Sequence, residues 1–299
     1  MASRDESAAQ AVKRWTARRL NRALQSGGLR LDHLKQDFDD RPLDAYSKRR
    51  IFADLARVFE TWLKQQRLFD VRAGFDAAAI TAGFFDAWLE APFRGQQGGS
   101  RFNNLLWLFL IARAYQPALV VDSGTFEGAS AWALKLGAPD ARVLSFDIDL
   151  AHLKLRVAGV EYIEADWTGQ TIGLSSGARF LTYFDDHVDQ VRRLFEASDR
   201  GSQIAIFDDD YPVTSYYAMA PGPGVLPKIE FALDAELVDG QRLEWISRGQ
   251  RQSWTVDRKR LDAGLARIAS TERLPDTSPI TGIQQTPYRI ISVKPADSG

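Results

Sequence analysis

The chain has no cysteine and only three histidines among its 299 residues. Without cysteine the protein has no disulfide bond, no thiolate nucleophile and no zinc site with sulfur ligands. Lysine and arginine number 38 against 39 aspartate and glutamate residues, and the formal net charge of −1 gives no overall attraction to nucleic acid or to anionic membranes. We therefore expect a cytoplasmic protein with no nucleic-acid partner.

Long apolar segments are also missing from the sequence. No apolar run reaches the roughly 18 residues that a membrane span requires, and the N-terminal MASRDESAAQ lacks the apolar core of a secretory signal. We therefore expect no transmembrane segment. Hydrophobic residues make up 45% of the chain, which is enough for a sizeable core in one large domain with an extension.

Residues 1–95 are predicted to form a helical N-terminal region. The stretch AAQAVKRWTARRLNRALQSGG is rich in helix-forming residues and ends in two glycines. A second stretch, DAYSKRRIFADLARVFETWLKQQ, places Leu55, Phe59 and Leu63 at helical spacing, so that one face should be buried. We predict that these helices form a separate layer that covers the acceptor side of a site or mediates homo-oligomer formation.

Residues 96–299 follow a different pattern, beginning after the glycine-rich connection FRGQQGGSRF. The apolar runs ALVV, RVLSF, VEYI, RFLTYF and QIAIF alternate with helical stretches, and YRIISVKP reads as a last strand. Continuous apolar strands separated by helices indicate a parallel sheet covered on both faces. The predicted fold class is α/β, a doubly wound, mostly parallel Rossmann-like sheet with an N-terminal helical extension.

The first strand of this region leads into a glycine-containing loop, ALVVDSGTFEGAS. Gly124 and Gly128 allow backbone N–H groups and a helix start to face a ligand, although a glycine pair at such a turn is also an ordinary packing feature. The dinucleotide fingerprint requires a middle glycine for close approach to a pyrophosphate. Phe126 occupies that position, so the loop argues against NAD.

The loop DSGTFEG has the acid-x-Gly-x-x-x-Gly form of class I S-adenosylmethionine-dependent methyltransferases, and the next two strands also end in acids, in SFDID and YIEADWT. VVDSGTFEGAS resembles the first motif of the catechol O-methyltransferase group, including macrocin-type sugar O-methyltransferases and cephalosporin hydroxylase-like proteins. The resemblance implies an S-adenosylmethionine site. Its cofactor-binding residues would be Asp122, Gly124, Thr125, Phe126, Gly128, Ser130, Asp147, Asp166 and Trp167.

Acidic residues also follow the fourth and fifth apolar runs, in YFDDH and IFDDDYP. These segments resemble the metal-ligand positions of the same family, which implies Mg²⁺ or another divalent cation held by Asp186, Asp208 and Asp209. Asp185 and Asp210 are one-residue alternates. Neighbouring parallel strands bring their carboxyl ends to one edge, and converging carboxylates are stabilised by a cation. The alternative is a solvated turn, in which Asp and Pro are common.

The proton acceptor of such a reaction is less apparent from the sequence. Catechol-type enzymes carry a lysine three positions after the first metal aspartate, whereas this chain has Asp189 there, counting from Asp186. We therefore predict Asp189 or His187 as the catalytic base. An ordinary surface position for His187 is the alternative.

Together these patterns predict a metal-dependent O-methyltransferase, an enzyme of the EC 2.1.1 type. A sugar or other natural-product acceptor, small or glycosylated, is favoured over a small catechol by the macrocin-like DDDYP and the N-terminal extension. The aromatic and proline-containing segment YPVTSYYAMAPGPGVLPKIEF is predicted to form a lid or wall of the acceptor site. The alternatives are a hydroxylase-like protein and a non-catalytic accessory protein on the same fold.

Overall fold

The computed structural model describes residues 44–71, 74–91, 100–173, 175, 177–213, 225–247 and 250–295. Contacts divide the chain into two compact units, Met1–Gln36 and Asp37–Gly299, and all the described residues belong to the second. The first predicted helix, at residues 8–28, lies outside the described residues. So does most of the predicted lid, since residues 214–224 are not described.

Helices and strands alternate through most of the second unit. The α-helices are α1 (Ala45–Gln65), α2 (Ala77–Leu89), α3 (Phe102–Tyr115), α4 (Ala129–Gly137), α5 (Gln190–Asp199), α6 (Ile229–Leu233), α7 (Arg258–Ala266) and α8 (Ser278–Thr281). The strands are β1 (Leu119–Ser123), β2 (Arg142–Asp147), β3 (Val160–Glu164), β4 (Phe180–Phe184), β5 (Ile204–Phe207), β6 (Arg242–Ser247), β7 (Gln250–Thr255), β8 (Ile268–Arg273) and β9 (Arg289–Val293). Short 3₁₀ turns span Leu150–His152 and Trp167–Gly169.

The main sheet contains seven strands in the order β3-β2-β1-β4-β5-β9-β8. Strands β1 to β5 are parallel, whereas β9 is antiparallel to both of its neighbours. This arrangement confirms the predicted doubly wound, mostly parallel Rossmann-like sheet. From β1 the chain extends to β2 and β3 on one side and then to β4 on the other, which places a ligand-binding crevice at the carboxyl ends of β1 and β4.

One strand of the sheet, β8, was not predicted. Its sequence, IASTER, has no continuous apolar run, and its side chains are mostly half-buried. The other expected strands are present, and β6 and β7 form a separate antiparallel hairpin. On this hairpin Trp254 packs edge-to-face against Phe231, so the tryptophan contributes to a core rather than to a site.

Helices α1 and α2 share one hydrophobic core with α3, α4 and one face of the sheet. Phe59 and Trp62 of α1 pack edge-to-face against Trp107 of α3, with ring centroids 4.7 and 5.2 Å apart. Trp62 also donates a hydrogen bond to Glu272 on β8, at 2.8 Å. The contacts therefore divide the chain between residues 36 and 37, and not near residue 95, where the glycine-rich connection suggested a boundary.

Helix α3 is buried on nearly all sides, as its apolar sequence predicts. It lies beneath the sheet and carries the chain directly into β1, so the rigid centre of the fold supports the first loop of the crevice. No helix among the described residues is long and apolar enough to cross a membrane.

Candidate cofactor and metal site

The loop after β1 is shaped by two glycines with positive φ. Gly124 has φ of +98°, and a Cβ atom there would lie 2.6 Å from the backbone carbonyl carbon of Asp185. Gly128 has φ of +96° and caps α4, and its Cβ atom would lie 2.6 Å from the carbonyl oxygen of Leu155. Both positions require glycine, because the chain turns sharply while it packs against neighbouring backbone.

Phe126, at the tip of this loop, is held by the end of β2. Its backbone N–H donates to the Asp147 carboxylate at 2.9 Å, and Asp149 N–H donates to the other oxygen at 3.2 Å. Phe126 has φ of +45°, which is unfavourable for a bulky residue, and its ring is partly exposed. Asp147 therefore fixes a strained, solvent-facing aromatic side chain at the mouth of the crevice.

The residues after β3 take two different positions. Asp166 faces the crevice and binds Arg193, with an N–O distance of 2.8 Å. Although burial acts in the other direction, hydrogen bonds from Arg193 and Thr168 hold the pKa of Asp166 well below its ordinary value. Trp167 lies fully buried against Phe184, with ring centroids 5.7 Å apart.

A cavity of about 430 Å³ opens at the carboxyl ends of β1, β2, β3 and β4. It is lined by Ser123, Gly124, Phe126, Phe146, Asp147, Ile148, Ala165, Asp166, Asp185, Asp186, His187, Val188 and Arg193. The cavity thus brings together a glycine of the β1 loop, apolar side chains and the acids that follow β2, β3 and β4. The volume lies within the usual range for small-molecule sites.

Only part of the predicted cofactor set lines this cavity. Gly124, Phe126, Asp147 and Asp166 do so, whereas the remaining five residues pack behind the wall. Those five are Asp122, Thr125, Gly128, Ser130 and Trp167. Asp122, for example, is fully buried and accepts a hydrogen bond from Ser145 at 2.7 Å, and burial raises its pKa to about 6. The geometry of Trp167 does not support a direct contact with the cofactor, because its ring is buried in the core.

Three residues at the ends of β4 and β5 are arranged as a set of ligand atoms. Asp185, His187 and Asp209 each place one oxygen or nitrogen within 4.8 Å of the others. His187 and Asp209 both have positive φ, at +54° and +55°. Such backbone strain is common at functional sites, where the surrounding structure maintains it. These three residues could hold a divalent cation.

Asp186, which we predicted as a ligand, has other partners. Its carboxylate accepts a hydrogen bond from Ser123 at 2.5 Å and pairs with Arg193 at 2.8 Å. The structure thus favours Asp185, the one-residue alternate, as the carboxylate that meets Asp209. The reason is geometric, since successive side chains at a strand end point to different sides.

Asp208 lies behind this group rather than within it. It accepts hydrogen bonds from Thr286 and from Tyr183, the latter at 3.2 Å, and its other contact is the backbone N–H of Asp209 at 2.6 Å. Tyr183 in turn lies 2.9 Å from the hydroxyl of Tyr288. Asp208 therefore anchors the backbone of Asp209 and is not placed as a ligand with it.

Asp210, the other alternate, forms part of a buried ion-pair cluster. Arg289 bonds to both Asp210 and Glu230, and the Glu230 N–H donates to Asp210 at 2.8 Å. Arg273 also pairs with Glu230, at 3.1 Å. This cluster joins β9 to the chain on both sides of the undescribed segment 214–224, so Asp210 has a structural task.

Asp189, one of the two predicted bases, is also engaged. It caps α5 by accepting the Arg192 N–H at 2.9 Å, and it pairs with Arg260 of α7 at 2.5 Å. Asp189 does not line the cavity. His187, the other predicted base, does line the cavity but belongs to the three-residue group.

The acids at this edge affect one another's ionisation. Burial raises the pKa of Asp185 well above its ordinary value, and the charges of Asp208 and Asp209 add to the rise, while Lys228 opposes it. Burial likewise raises the pKa of Asp208 to about 7, again with the charge of Asp209 adding. A divalent cation at the edge would turn this repulsion into coordination.

Six residues that line the cavity were not predicted from the sequence, and two of them, Ile148 and Arg193, have distinctive positions. Ile148 is 83% exposed and directly follows Asp147. An apolar residue next to a strand-end acid is the sequence feature that could have indicated its place in the cavity. Arg193 is only 2% exposed and bridges Asp166 and Asp186. Its segment, QVRRLFEASD, reads as an ordinary amphipathic helix, and nothing in it distinguishes Arg193 from its charged neighbours.

No protein-family model and no curated protein matches this chain. Solved structures that resemble it include TomG, an O-methyltransferase from Streptomyces achromogenes involved in tomaymycin synthesis, in complex with SAM. It is 13% identical and covers 81% of this chain and 98% of its own, with a TM-score of 0.40. An O-methyltransferase from Bacillus cereus in complex with SAH is 12% identical and covers 81% of this chain and 99% of its own, with a TM-score of 0.37.

A third solved structure, the SAH-bound methyltransferase PaMTH1 from Podospora anserina, is 15% identical to this chain. It covers 88% of this chain and 100% of its own, with a TM-score of 0.36. All three are methyltransferases solved with SAM or SAH.

Proposed function

We propose that this chain is an S-adenosylmethionine-dependent O-methyltransferase assisted by a divalent cation. One observation supports this most directly: the glycine loop and Asp147 line the same cavity as Asp185 and His187 of the three-residue group. A methyl donor and a cation-bound hydroxyl must meet for in-line transfer, and a shared space permits that.

The cofactor would occupy the part of the cavity between β1 and β3. Asp147, oriented by two backbone N–H groups, would accept hydrogen bonds from the ribose hydroxyls. Ile148 and Phe126, which line the same cavity, offer exposed apolar surface. Gly124 lets this loop pack directly against the end of β4, since any side chain there would meet the backbone of Asp185.

The cation would be held by Asp185, His187 and Asp209. Two carboxylates suit Mg²⁺, and the added imidazole widens the choice to metals such as Mn²⁺. When bound, such an ion acidifies and orients an alcohol or phenol hydroxyl. The protein's own contribution is to fix two of these residues: Asp208 holds the backbone of Asp209, and the Asp185 N–H donates to the carbonyl oxygen of Ser123 at 2.9 Å.

The acceptor is proposed to be a hydroxyl of a sugar or another natural product. This finer statement rests on the macrocin-like DDDYP and on the long aromatic segment that follows β5. A small catechol is the alternative acceptor, because the same cation site would suit two neighbouring hydroxyls.

The test is transfer of a labelled methyl group from S-adenosylmethionine to a panel of catechols, sugars and glycosides, with Mg²⁺ or with excess EDTA. We expect transfer that requires the cation and that is lost in Asp209→Asn. Asp140→Asn, which changes an exposed acid away from the site, is the matched control and should leave transfer intact. Full transfer in EDTA would refute the cation's role, and failure of the wild-type protein to bind S-adenosylmethionine would refute the proposal as a whole.

A further inference from the structure

Asp209 has an unfavourable backbone conformation, with φ of +55°, and both of its neighbours are tied to the segment that precedes β9. On one side, the Asp208 carboxylate accepts a hydrogen bond from the Thr286 hydroxyl. On the other side, the Asp210 N–H donates to the carbonyl oxygen of Pro287 at 3.0 Å. Such a conformation persists only where the surrounding structure fixes it, and these two contacts fix the backbone on both sides of a proposed ligand.

Thr286 is itself held by Asn104 of the buried helix α3, a side chain that is only 2% exposed. The side-chain oxygen of Asn104 accepts the Thr286 N–H at 3.1 Å. Its side-chain nitrogen donates to the Thr286 carbonyl oxygen at 3.1 Å and to the Thr286 hydroxyl at 2.8 Å. Burying an amide is unfavourable unless it is hydrogen-bonded, and here all three bonds go to one residue.

The donors and acceptors set the direction of the Thr286 hydroxyl. Since the Thr286 N–H can only donate, the oxygen of the Asn104 amide must face it, and the amide nitrogen must face the hydroxyl. The hydroxyl oxygen therefore accepts from Asn104, and its single hydrogen donates to Asp208. A directed chain of hydrogen bonds thus runs from α3 to Asp208.

The chain ends on the backbone of Asp209. The Asp208 oxygen that accepts from Thr286 also accepts the Asp209 N–H, at 2.6 Å. The hydroxyl of Tyr183 donates to the other Asp208 oxygen, at 3.2 Å. Within the described ranges, Thr286 is therefore the one side chain that donates to the oxygen holding Asp209.

We propose that Thr286 is a positioning residue for the divalent cation. Its hydroxyl, directed by Asn104, orients the Asp208 carboxylate, which holds Asp209 in place within the three-residue group. The inference rests on the proposed function, because it takes that group as the cation's ligands. Groups that orient metal ligands through hydrogen bonds typically change metal affinity by about 10–100-fold.

The test is calorimetric titration of the full-length protein with Mn²⁺ alone. Thr286→Val removes the hydroxyl but keeps the branched shape, and it should weaken Mn²⁺ binding by about tenfold. Thr286→Ala should show the same loss, whereas Thr286→Ser keeps the hydroxyl and should recover most of the affinity. Thr81→Val removes a buried hydroxyl from α2 and is the matched control, which should bind Mn²⁺ as the wild-type protein does.

A second measurement does not depend on the metal. In the metal-free protein, the Asp209 N–H should exchange with solvent deuterium faster in Thr286→Val than in the wild-type protein, because its acceptor is no longer held by the hydroxyl. Thr81→Val should leave the exchange rate of this N–H unchanged. An equal exchange rate in Thr286→Val would show that Asp208 holds Asp209 without the hydroxyl, and the inference would fail.

The outcomes also separate this inference from the proposed function. If Thr286→Val bound Mn²⁺ as tightly as the wild-type protein, the inference would be overturned while the proposed cation site remained. An affinity loss that Thr286→Ser did not recover would overturn it too, because packing and not the hydroxyl would then be responsible. A wild-type protein that bound no Mn²⁺ would refute the cation's part in the proposed function, and this inference with it.

Discussion

The guanidinium of Arg193 lies 2.8 Å from the carboxylate of Asp186, and a second ion pair of the same length joins it to Asp166. Arg193 is almost fully buried, so these pairs connect the ends of β3 and β4 across the floor of the cavity. Removing one partner of a buried pair leaves an uncompensated charge. Asp186 is therefore part of the cavity wall, and the neighbouring Asp185 is left to meet Asp209.

The first prediction follows from this division between the two adjacent acids. Asp185→Asn and Asp209→Asn should each weaken Mn²⁺ or Mg²⁺ binding by about tenfold or more, because each removes a proposed ligand. Asp186→Asn should weaken it less and should instead lower thermal stability. Calorimetric titration of the metal alone measures the affinities. If Asp186→Asn had the largest effect on the metal, Asp186 would be the ligand.

The second prediction concerns Gly124, where a Cβ atom would lie 2.6 Å from the backbone of Asp185. Gly124→Ala should reduce the free energy of unfolding by about 1–3 kcal/mol more than a simple positive-φ penalty, since backbone must shift to make room. Gly240→Ala is the control, because Gly240 also has positive φ but has no atom within 4 Å of its Cβ position. Urea denaturation of both variants gives the comparison, and equal losses would contradict the close approach.

The third prediction concerns Ile148, whose side chain is 83% exposed at the rim of the cavity. If the cofactor covers one face of this side chain, Ile148→Ala should weaken S-adenosylmethionine binding by about fivefold, or about 1 kcal/mol of lost apolar burial. Ile246, 70% exposed on β6, provides the control, and Ile246→Ala should bind normally. Identical affinities for the two variants would remove Ile148 from the site.

The fourth prediction is a pH dependence of stability in the metal-free protein. Burial and the charge of Asp209 raise the pKa of Asp208 from 3.8 to about 7, so the folded state holds a proton that the unfolded chain releases. Stability should therefore fall as pH rises from about 4 to about 7. The lowered pKa of Asp166 acts only below 3.8, outside this window.

Asp208→Asn should flatten part of that slope, because the amide does not titrate. Asp185 and Asp122, whose pKa values are also raised, would account for the remainder. Urea denaturation in EDTA at a series of pH values is the measurement. If the free energy of unfolding of the wild-type protein rose steadily between pH 4 and 7, the pKa values of these acids would not be raised in the folded state.

Much of the fold could be predicted because buried parallel strands are short, continuous apolar runs. The runs in β1 to β5 and β9 fixed the strand positions, and two glycines marked the ligand loop. Strand β8 was missed because an outer strand is only half-buried and needs no apolar run. The boundary near residue 95 stays a prediction, and a glycine-rich connection does not reveal that Phe59 and Trp62, which precede it, pack against Trp107, which follows it.

The candidate site was predictable in kind but not in detail. The acids that follow β4 and β5 point to the edge of the sheet where a candidate site lies. The choice between Asp185 and Asp186 depends instead on a one-residue difference in side-chain direction. That choice follows from Arg193, which approaches from a helix seven residues further along and leaves no mark in the sequence. Trp167 was assigned to the cofactor by its place after β3, but its ring turns into the core.

The central claim is that the cavity at the ends of β1 to β4 binds S-adenosylmethionine, and calorimetric titration of that cofactor tests it most directly. The wild-type protein should bind one equivalent without added acceptor. Asp147→Ala should weaken the affinity by about tenfold or more, since a charged hydrogen-bond acceptor for the ribose is lost and the Phe126 loop loses its anchor. An absence of heat and of binding in the wild-type protein, or an unchanged affinity in Asp147→Ala, would contradict the account.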